Sequence, residues 1–363
     1  MDRRFSTIIV VAIVLLTTIT SGAYEIINSA GHNPVLAPLE NGQIKILSIA
    51  LYPAHYHSVE LAKRLDCEIV TIRLDSAFQA GYNKDGFERK TVYWRELQIT
   101  QDEMTEDALN ALKKDYDIII IGVRPVWSRY PEKVQKAILD KAESGTALLI
   151  FSPEKTLGDE LAKMQKVDLQ LNTFAGIKEK TAFREQYYRL GKGIIGVMEA
   201  PIDNRLGYLI SDSDIKLYEE YKYRRIANLI YKFSKNIKQP KLIKAEQTGN
   251  KEIELSVEDV TSAMSLKYRL VDENYNLIEE RSLAAKSRDG KIKVKLPQLQ
   301  NGEYAVEFEL SSDGKLVDWI SGIFKVEYNP EIVSATLKKD TLSASDMINL
   351  TLSYSDDAKG LSL

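Results

Sequence analysis

The hydrophobic pattern of this chain changes its period near residue 238, and this change constrains the fold more than any other feature. Before it, apolar runs such as "IKILSIAL" and "YDIIIIGV" alternate with segments whose apolar residues have helical spacing. After it, segments such as "KEIELSVEDV" and "GEYAVEFELSSDG" alternate polar and apolar residues. The first pattern favours a mostly parallel sheet covered by helices, and the second favours an antiparallel sandwich. The sequence therefore predicts two domains of different class.

The predicted boundaries follow this pattern. We predict an α/β flavodoxin-like domain with a parallel sheet over residues 44–238, preceded by an N-terminal extension over residues 24–43. An all-β Ig-like sandwich follows over residues 239–328. Residues 329–363 are predicted to begin a second Ig-like domain that is truncated. Limited proteolysis near the first boundary is expected to leave two folded pieces.

The N-terminus has the pattern of an export signal. Arg3 and Arg4 precede the apolar run "STIIVVAIVLLTTIT", and small residues, Ser21 and Ala23, follow it. A basic start, an apolar run and a small-residue site are typical of a secretory signal peptide. We predict a signal peptide over residues 1–23 and a secreted or periplasmic protein. The alternative is an uncleaved signal that anchors the chain, which is the only membrane contact the sequence predicts.

Composition narrows the choice of partners. The chain has 49 Lys and Arg against 52 Asp and Glu, a formal net charge of −3. A nucleic-acid partner is not predicted, because such proteins carry a basic face or arm. Cys67 is the one cysteine, so the chain has no intramolecular disulfide and its stability depends on packing.

Four segments carry a resemblance to a known fold family. They are "YDIIIIGVRP", "EKVQKAILDKAESGTALLIFSP", "LGKGIIGV" and "YKYRRIANLIYKFS", within residues 44–236. Together they resemble the class I glutamine amidotransferase-like domain, nearest to its ThuA-like and β-galactosidase-trimerisation-like groups. The later segment "LQNGEYAVEFEL" resembles the Ig-like modules of secreted bacterial glycan-processing proteins.

The chain departs from this family at the positions where the resemblance would place the catalytic residues. Active members have a cysteine on a glycine-flanked turn after a strand and a His-x-Glu pair on a later strand. Here the turn carries Ser152 before Pro153, and the later strand has Glu199 without a histidine. Proline holds the preceding residue in extended backbone, which does not suit a nucleophile elbow. We therefore predict no catalytic residue, and the sequence favours a protein that is not an enzyme.

A candidate ligand-binding rim lies where predicted strands end. In open α/β sheets, ligands bind at the carboxyl ends of strands near the point where strand order reverses. The predicted rim is rich in aromatic and basic residues: His55, His57, Tyr93, Trp94, Arg95, Arg124, Trp127 and Arg129. Three interpretations stay open: a metal site, a rim for an anionic or sugar-like ligand, and residues that shape loops and pack. We predict no metal site and no cofactor, because two histidines without a third ligand do not make a zinc site.

Three functional hypotheses follow. The leading one is a noncatalytic accessory region that binds, positions or oligomerises part of a secreted multidomain protein acting on glycans. The alternatives are a secreted hydrolase that uses the His55/His57 rim and a surface adhesion protein. The expected partners are carbohydrate or another domain of the same protein, and the sequence leaves an oligomer open.

Overall fold

A computed structural model describes the following residues of the chain: 24–28, 34–50, 55–73, 101–122, 127, 130–151, 155–169, 171, 173–175, 184–199, 216–235, 241–285, 289–327, 332–337 and 350–354. The strands described before residue 200 are β1 (Tyr24–Asn28), β2 (Ile44–Ala50), β3 (Cys67–Arg73), β4 (Ile118–Ile121), β5 (Ala147–Phe151), β6 (Gln165–Lys166), β7 (Thr173–Ala175), β8 (Arg184–Leu190) and β9 (Gly193–Glu199). The helices within the described residues are α1 (His55–Ala62), α2 (Gln101–Leu112), α3 (Glu132–Ser144), α4 (Lys155–Leu161) and α5 (Lys216–Ser234).

All of these strands except β7 form one mixed sheet, in the order β1-β3-β2-β4-β5-β9-β8-β6. The five strands from β3 to β9 in that order are parallel. At the edges, β1 pairs antiparallel with β3, β8 with β9, and β6 with β8. The β8–β9 hairpin turns at Gly191, whose φ of +56° lies in the left-handed region that glycine adopts without strain.

The predicted fold class, a flavodoxin-like parallel sheet domain followed by an all-β sandwich, is therefore wrong. Strands account for 47% of the described residues and helices for 25%, with mixed and antiparallel sheets, so this part of the protein is largely β. The prediction failed at the sheet edges. Segment 24–28, which the sequence predicts to be an extension, adds an antiparallel strand at one edge, and the β8–β9 hairpin at Gly191, which the sequence does indicate, makes the other edge antiparallel together with β6.

Helices cover both faces of the mixed sheet. Apolar residues of α1 and α5 pack on one face, and those of α2, α3 and α4 pack on the other. Helix α3 follows Pro131 and ends at Gly145, whose φ of +125° also suits glycine. The strands between these two layers are buried on both faces, which explains their continuous apolar sequences.

The later strands build a sandwich and a separate hairpin. They are β10 (Leu242–Gly249), β11 (Glu252–Val257), β12 (Ser265–Val271), β13 (Leu277–Ala284), β14 (Lys291–Lys295), β15 (Gly302–Ser312), β16 (Lys315–Val326), β17 (Ile332–Leu337) and β18 (Leu350–Tyr354). One sheet has the order β14-β11-β10-β7 and the other β13-β12-β15-β16. A core that includes Leu255, Tyr268 and Phe308 lies between them. Strands β17 and β18 pair with each other.

Strand β7 joins the sandwich from a position well before residue 238. Its residues Thr173–Ala175 pair in parallel with Lys244–Glu246 of β10. Phe174 enters the sandwich core and lies against the backbone of Gly322 on β16. The sandwich therefore contains a strand from the part of the chain assigned to the first domain, and the boundary at residue 238 stays a prediction.

Candidate functional site

The predicted rim is described only in part. His55 and His57 are the first and third residues of α1, which follows β2 beside the point where strand order reverses between β2 and β4. Their backbone is described but their side chains are not. Outside the described residues lie Tyr93, Trp94, Arg95, Arg124 and Arg129, as well as Ser152 and Pro153. The rim stays a prediction for these residues.

Trp127 is the one rim residue whose side chain is described, and it is 1% exposed. Its ring packs in the core under α3, with its centroid 5.8 Å from that of Tyr130. The Gln135 side chain donates hydrogen bonds to the carbonyls of Trp127 and Tyr130, at 2.9 and 2.8 Å. A ring enclosed in this way presents no face to a ligand, so the packing interpretation fits this residue.

A second, fully described cluster lies along α5. Arg224, Asn228 and Lys232 are spaced four residues apart and therefore form one stripe of the helix. They are 3%, 2% and 1% exposed, which is unusual for such polar side chains. The opposite, apolar side of α5 packs against the mixed sheet, through residues that include Ala227 and Ile230. Helix α5 is thus covered on both sides, and its polar stripe contacts the sandwich strands β15 and β16.

Arg224 is held by two acidic residues of β15. Its Nε lies 2.7 Å from Glu307 Oε1, and its Nη1 lies 3.0 Å from Glu309 Oε1. Glu307 also binds Arg269 Nη1 of β12 at 3.0 Å and accepts a hydrogen bond from the hydroxyl of Tyr275. Burial alone lowers the pKa of Arg224, but its attraction to Glu307 raises that pKa overall, and the guanidinium stays charged.

At the other end of the stripe, Lys232 pairs with Asp318 of β16. The distance between Lys232 Nζ and Asp318 Oδ1 is 2.7 Å. Asp318 Oδ2 accepts hydrogen bonds from the backbone N–H groups of Lys241 and Leu242, at 2.8 and 3.0 Å. Burial lowers the pKa of Lys232, and the nearby carboxylate of Asp318 opposes this shift. The carboxylate thus holds both α5 and the start of β10.

Between these two pairs, Trp319 contacts the middle of the stripe through hydrogen bonds and ring packing. Asn228 Nδ2 donates to the carbonyl of Trp319 at 2.8 Å, and Trp319 Nε1 donates to the carbonyl of Arg224 at 3.2 Å. The Trp319 ring lies 5.2 Å from that of Tyr231. Polar and aromatic contacts therefore alternate along about two turns of helix.

Two further links tie the same region to α1 and to the N-terminal segment. Arg64, just after α1, donates to Glu220 of α5 at 2.8 Å, and its guanidinium lies 4.4 Å from the centroid of the Tyr223 ring. The segment around Pro38 pairs with β16, because Leu316 N donates to the Pro38 carbonyl and Glu40 N donates to the Leu316 carbonyl. The junction, by which we mean the contact of α5 and its neighbours with β15 and β16, therefore has three separate parts of the chain on the side of the mixed sheet.

The buried charges of this junction are paired with each other. Each buried charge of the stripe faces an opposite charge at 2.7–3.0 Å. Within the described ranges, no group of three or more His, Cys, Asp or Glu residues is placed to hold a metal ion. Nor does any helix in those ranges have the length and apolarity needed to cross a bilayer.

Sequence reasoning missed this junction, although two signals for it are present. Arg224, Asn228 and Lys232 interrupt a tyrosine- and isoleucine-rich helix at a regular spacing of four. Glu307 and Glu309 lie two residues apart, on one face of a strand whose other residues are mostly apolar. Matching cationic and anionic stripes on two apolar elements indicate a buried contact between them.

Comparison with known proteins adds little. No family model matches the sequence, and no curated protein matches it. Among solved structures, the crystal structure of a beta-glucuronidase from Parabacteroides merdae is similar over 24% of this chain, with 15% identity and a TM-score of 0.17. The chain spans 13% of the length of that protein. A similarity this small supports no statement about fold or function, and the amidotransferase-like resemblance stays a prediction.

Proposed function

We propose that this chain is a noncatalytic positioning region of a secreted multidomain protein. The observation that carries the proposal is the buried stripe of α5, in which Arg224, Asn228 and Lys232 bond to β15 and β16. This stripe holds the mixed sheet and the sandwich in one relative orientation.

Buried ion pairs are suited to this task because they fix the relative position of two elements more than they stabilise the fold. Removing charges from water costs about as much as their attraction returns, so such pairs add little net stability. A displaced interface, however, leaves charges buried without partners, which costs several kcal/mol. We expect the Arg224 and Lys232 contacts, which lie two helical turns apart, to exclude both sliding and rotation of α5 against β16.

Other parts of the proposal rest on the sequence. Secretion is supported by the signal-peptide pattern of residues 1–23, and a role near glycans by the resemblance of "LQNGEYAVEFEL" to Ig-like modules. On this proposal the partner is carbohydrate or another domain of the same protein.

The positioning role is tested by a distance measurement between spin labels. Cysteines at Lys136 of α3 and Lys293 of β14, both largely exposed, carry the labels. Cys67 is buried, and burial raises the pKa of its thiol, so it does not compete for the label in the folded protein. We expect one narrow distance distribution. A broad or multiple distribution in the native chain would overturn the proposal.

Variants make this test specific. Replacing both Arg224 and Lys232 by alanine should broaden the distribution while the secondary structure stays intact. The matched control replaces Lys63 and Lys244 by alanine, which removes two exposed ion pairs, with Glu60 and Glu246, and should leave the distribution narrow. Equal broadening in both variants would mean that the stripe has no special role.

A second experiment addresses catalysis. The purified chain is assayed on a panel of ester, amide and glycoside substrates, and we expect no turnover. Turnover that disappears in Ser152→Ala, or in the His55→Ala/His57→Ala double variant, would replace this proposal with the hydrolase hypothesis.

A further inference from the structure

Strand β13 is an edge of its sheet and carries exposed apolar residues. Within the part of the chain that the structure describes, it pairs with β12 alone. Leu277 is 55% exposed and Ile278 is 42% exposed, and Val35 is the one other large apolar side chain exposed to this degree in that part. An open edge with adjacent apolar residues is a template for pairing with another strand.

We propose that β13 pairs antiparallel with β13 of a second copy of this chain, about a two-fold axis at Glu280. Two-fold symmetry keeps the same face of both sheets on the same side. Since successive side chains of a strand alternate between faces, an odd-numbered residue must lie opposite an odd-numbered residue of the second copy, and an even-numbered residue opposite an even-numbered one. An axis at Glu280 therefore places Glu279 opposite Arg281 of the second copy, and Leu277 opposite Leu283. Each of these contacts occurs twice.

The charges of Glu279 and Arg281 favour the register with its axis at Glu280. Glu279 and Arg281 already approach each other within one strand, with 3.0 Å between Arg281 Nε and Glu279 Oε1, and both keep some exposure. In the dimer each gains a partner of opposite charge across the axis. An axis at Arg281 would instead place two guanidinium groups together and Glu279 against Leu283, which is unfavourable.

The register at Glu280 places two carboxylates opposite each other, and the sheet already compensates for this. Lys267 Nζ and Arg269 Nε of β12 each lie 3.1 Å from Glu280 Oε2. Every carboxylate at the axis is therefore bound by two cations of its own copy. The pairing would join two four-stranded sheets into one of eight strands and cover Leu277 and Ile278. It does not rest on the proposed function.

Sedimentation velocity over a range of concentrations of the purified chain tests the proposal. We expect a dimer that dissociates on dilution. Replacing both Leu277 and Ile278 by lysine should give a monomer with an unchanged circular dichroism spectrum. Val35→Lys, a change of the same kind at the other exposed apolar residue, should leave the dimer intact. A native chain that is monomeric throughout, or a dimer that the double lysine variant preserves, overturns the proposal.

A charge exchange tests the register and does not depend on the folding of the lysine variant. Glu279→Arg replaces two attractive contacts by two repulsive ones, so we expect dimerisation roughly 10- to 100-fold weaker. Adding Arg281→Glu restores opposite charges and should restore the dimer. If single and double variants dimerise equally well, or if only a strand of a different protein binds this edge, the proposal is wrong.

Discussion

Lys232 Nζ lies 2.7 Å from Asp318 Oδ1 although 86 residues separate them, and both side chains are 1% exposed. The second carboxylate oxygen accepts the N–H groups of Lys241 and Leu242. One carboxylate of β16 thus connects α5 and the start of β10. The fold of the whole chain should therefore be sensitive to the loss of one partner of this pair.

Replacing Lys232 with methionine should lower the free energy of unfolding by about 3–5 kcal/mol. The change leaves the buried carboxylate of Asp318 without its cation, and breaking one side of a buried ion pair costs this much. Urea denaturation measures the loss. Lys136→Met is the control, because Lys136 pairs with Asp140 on the exposed surface of α3, where water screens the pair and its loss should change stability little. Similar losses in both variants would contradict a buried, essential pair.

Gly322→Ala should destabilise the sandwich by at least about 1–3 kcal/mol, which is the usual cost of overpacking a core. A methyl group there would overlap the ring of Phe174, which lies directly over this glycine. Gly158→Ala is the matched control, because a Cβ at Gly158 in α4 meets no atom within 4 Å. Since alanine favours helix over glycine, the control should gain about 0.5–1 kcal/mol. Thermal melting of both variants gives the comparison, and a neutral Gly322→Ala would mean that β7 is not held against β16.

The sequence indicates local elements of this fold well. The apolar runs "IKILSIAL" and "YDIIIIGV" contain β2 and β4, and the segment from Lys216 contains α5. These elements are visible because burial on one or both faces imposes a period or a continuous apolar run. The turn at Gly191 is also marked in sequence, since a tight hairpin favours glycine.

The sequence does not indicate which distant segments pair with each other. Strand β7 has three residues, too few to show a period, and it finds its partner about 70 residues later in β10. Strand β1 has five residues next to the signal-like run, where its alternation is not distinct. The sequence does not indicate what covers the stripe of α5, because helical spacing shows which residues share a side of the helix and not what packs on that side.

Alkaline pH should unfold the protein between about pH 10 and 12. Burial raises the pKa of Tyr221 and Tyr231 from the ordinary value near 10 to about 12. The fold therefore favours the neutral phenols: their contribution is complete below pH 10, where the unfolded chain is also neutral, and is lost as pH rises toward 12. We expect tyrosinate absorbance and the loss of circular dichroism to rise together.

Tyr221→Phe tests the contribution of one of these two phenols. Without the buried phenol, the alkaline midpoint should move to higher pH, with a gain on the order of 2 kcal/mol at pH 12. Tyr188→Phe is the control, because Tyr188 is only half-buried on β8 and bonds to Gln186. An alkaline midpoint that neither substitution moves would show that ionisation of Tyr221 does not drive the transition.

The mixed sheet and the sandwich should unfold together, contrary to the two folded pieces expected from the change of period near residue 238. Asp318 binds the backbone of Lys241 and Leu242, β7 completes a sandwich sheet, and α5 packs between the two regions. Differential scanning calorimetry should therefore show one transition whose calorimetric and van't Hoff enthalpies agree. Replacing Arg224 and Lys232 together by alanine should separate it into two transitions, since each region keeps its own core while the buried ion pairs between the regions are lost. Replacing Lys63 and Lys244 by alanine should keep a single transition. Two resolved transitions in the native chain would mean that the regions are held together too weakly for the junction to fix their orientation.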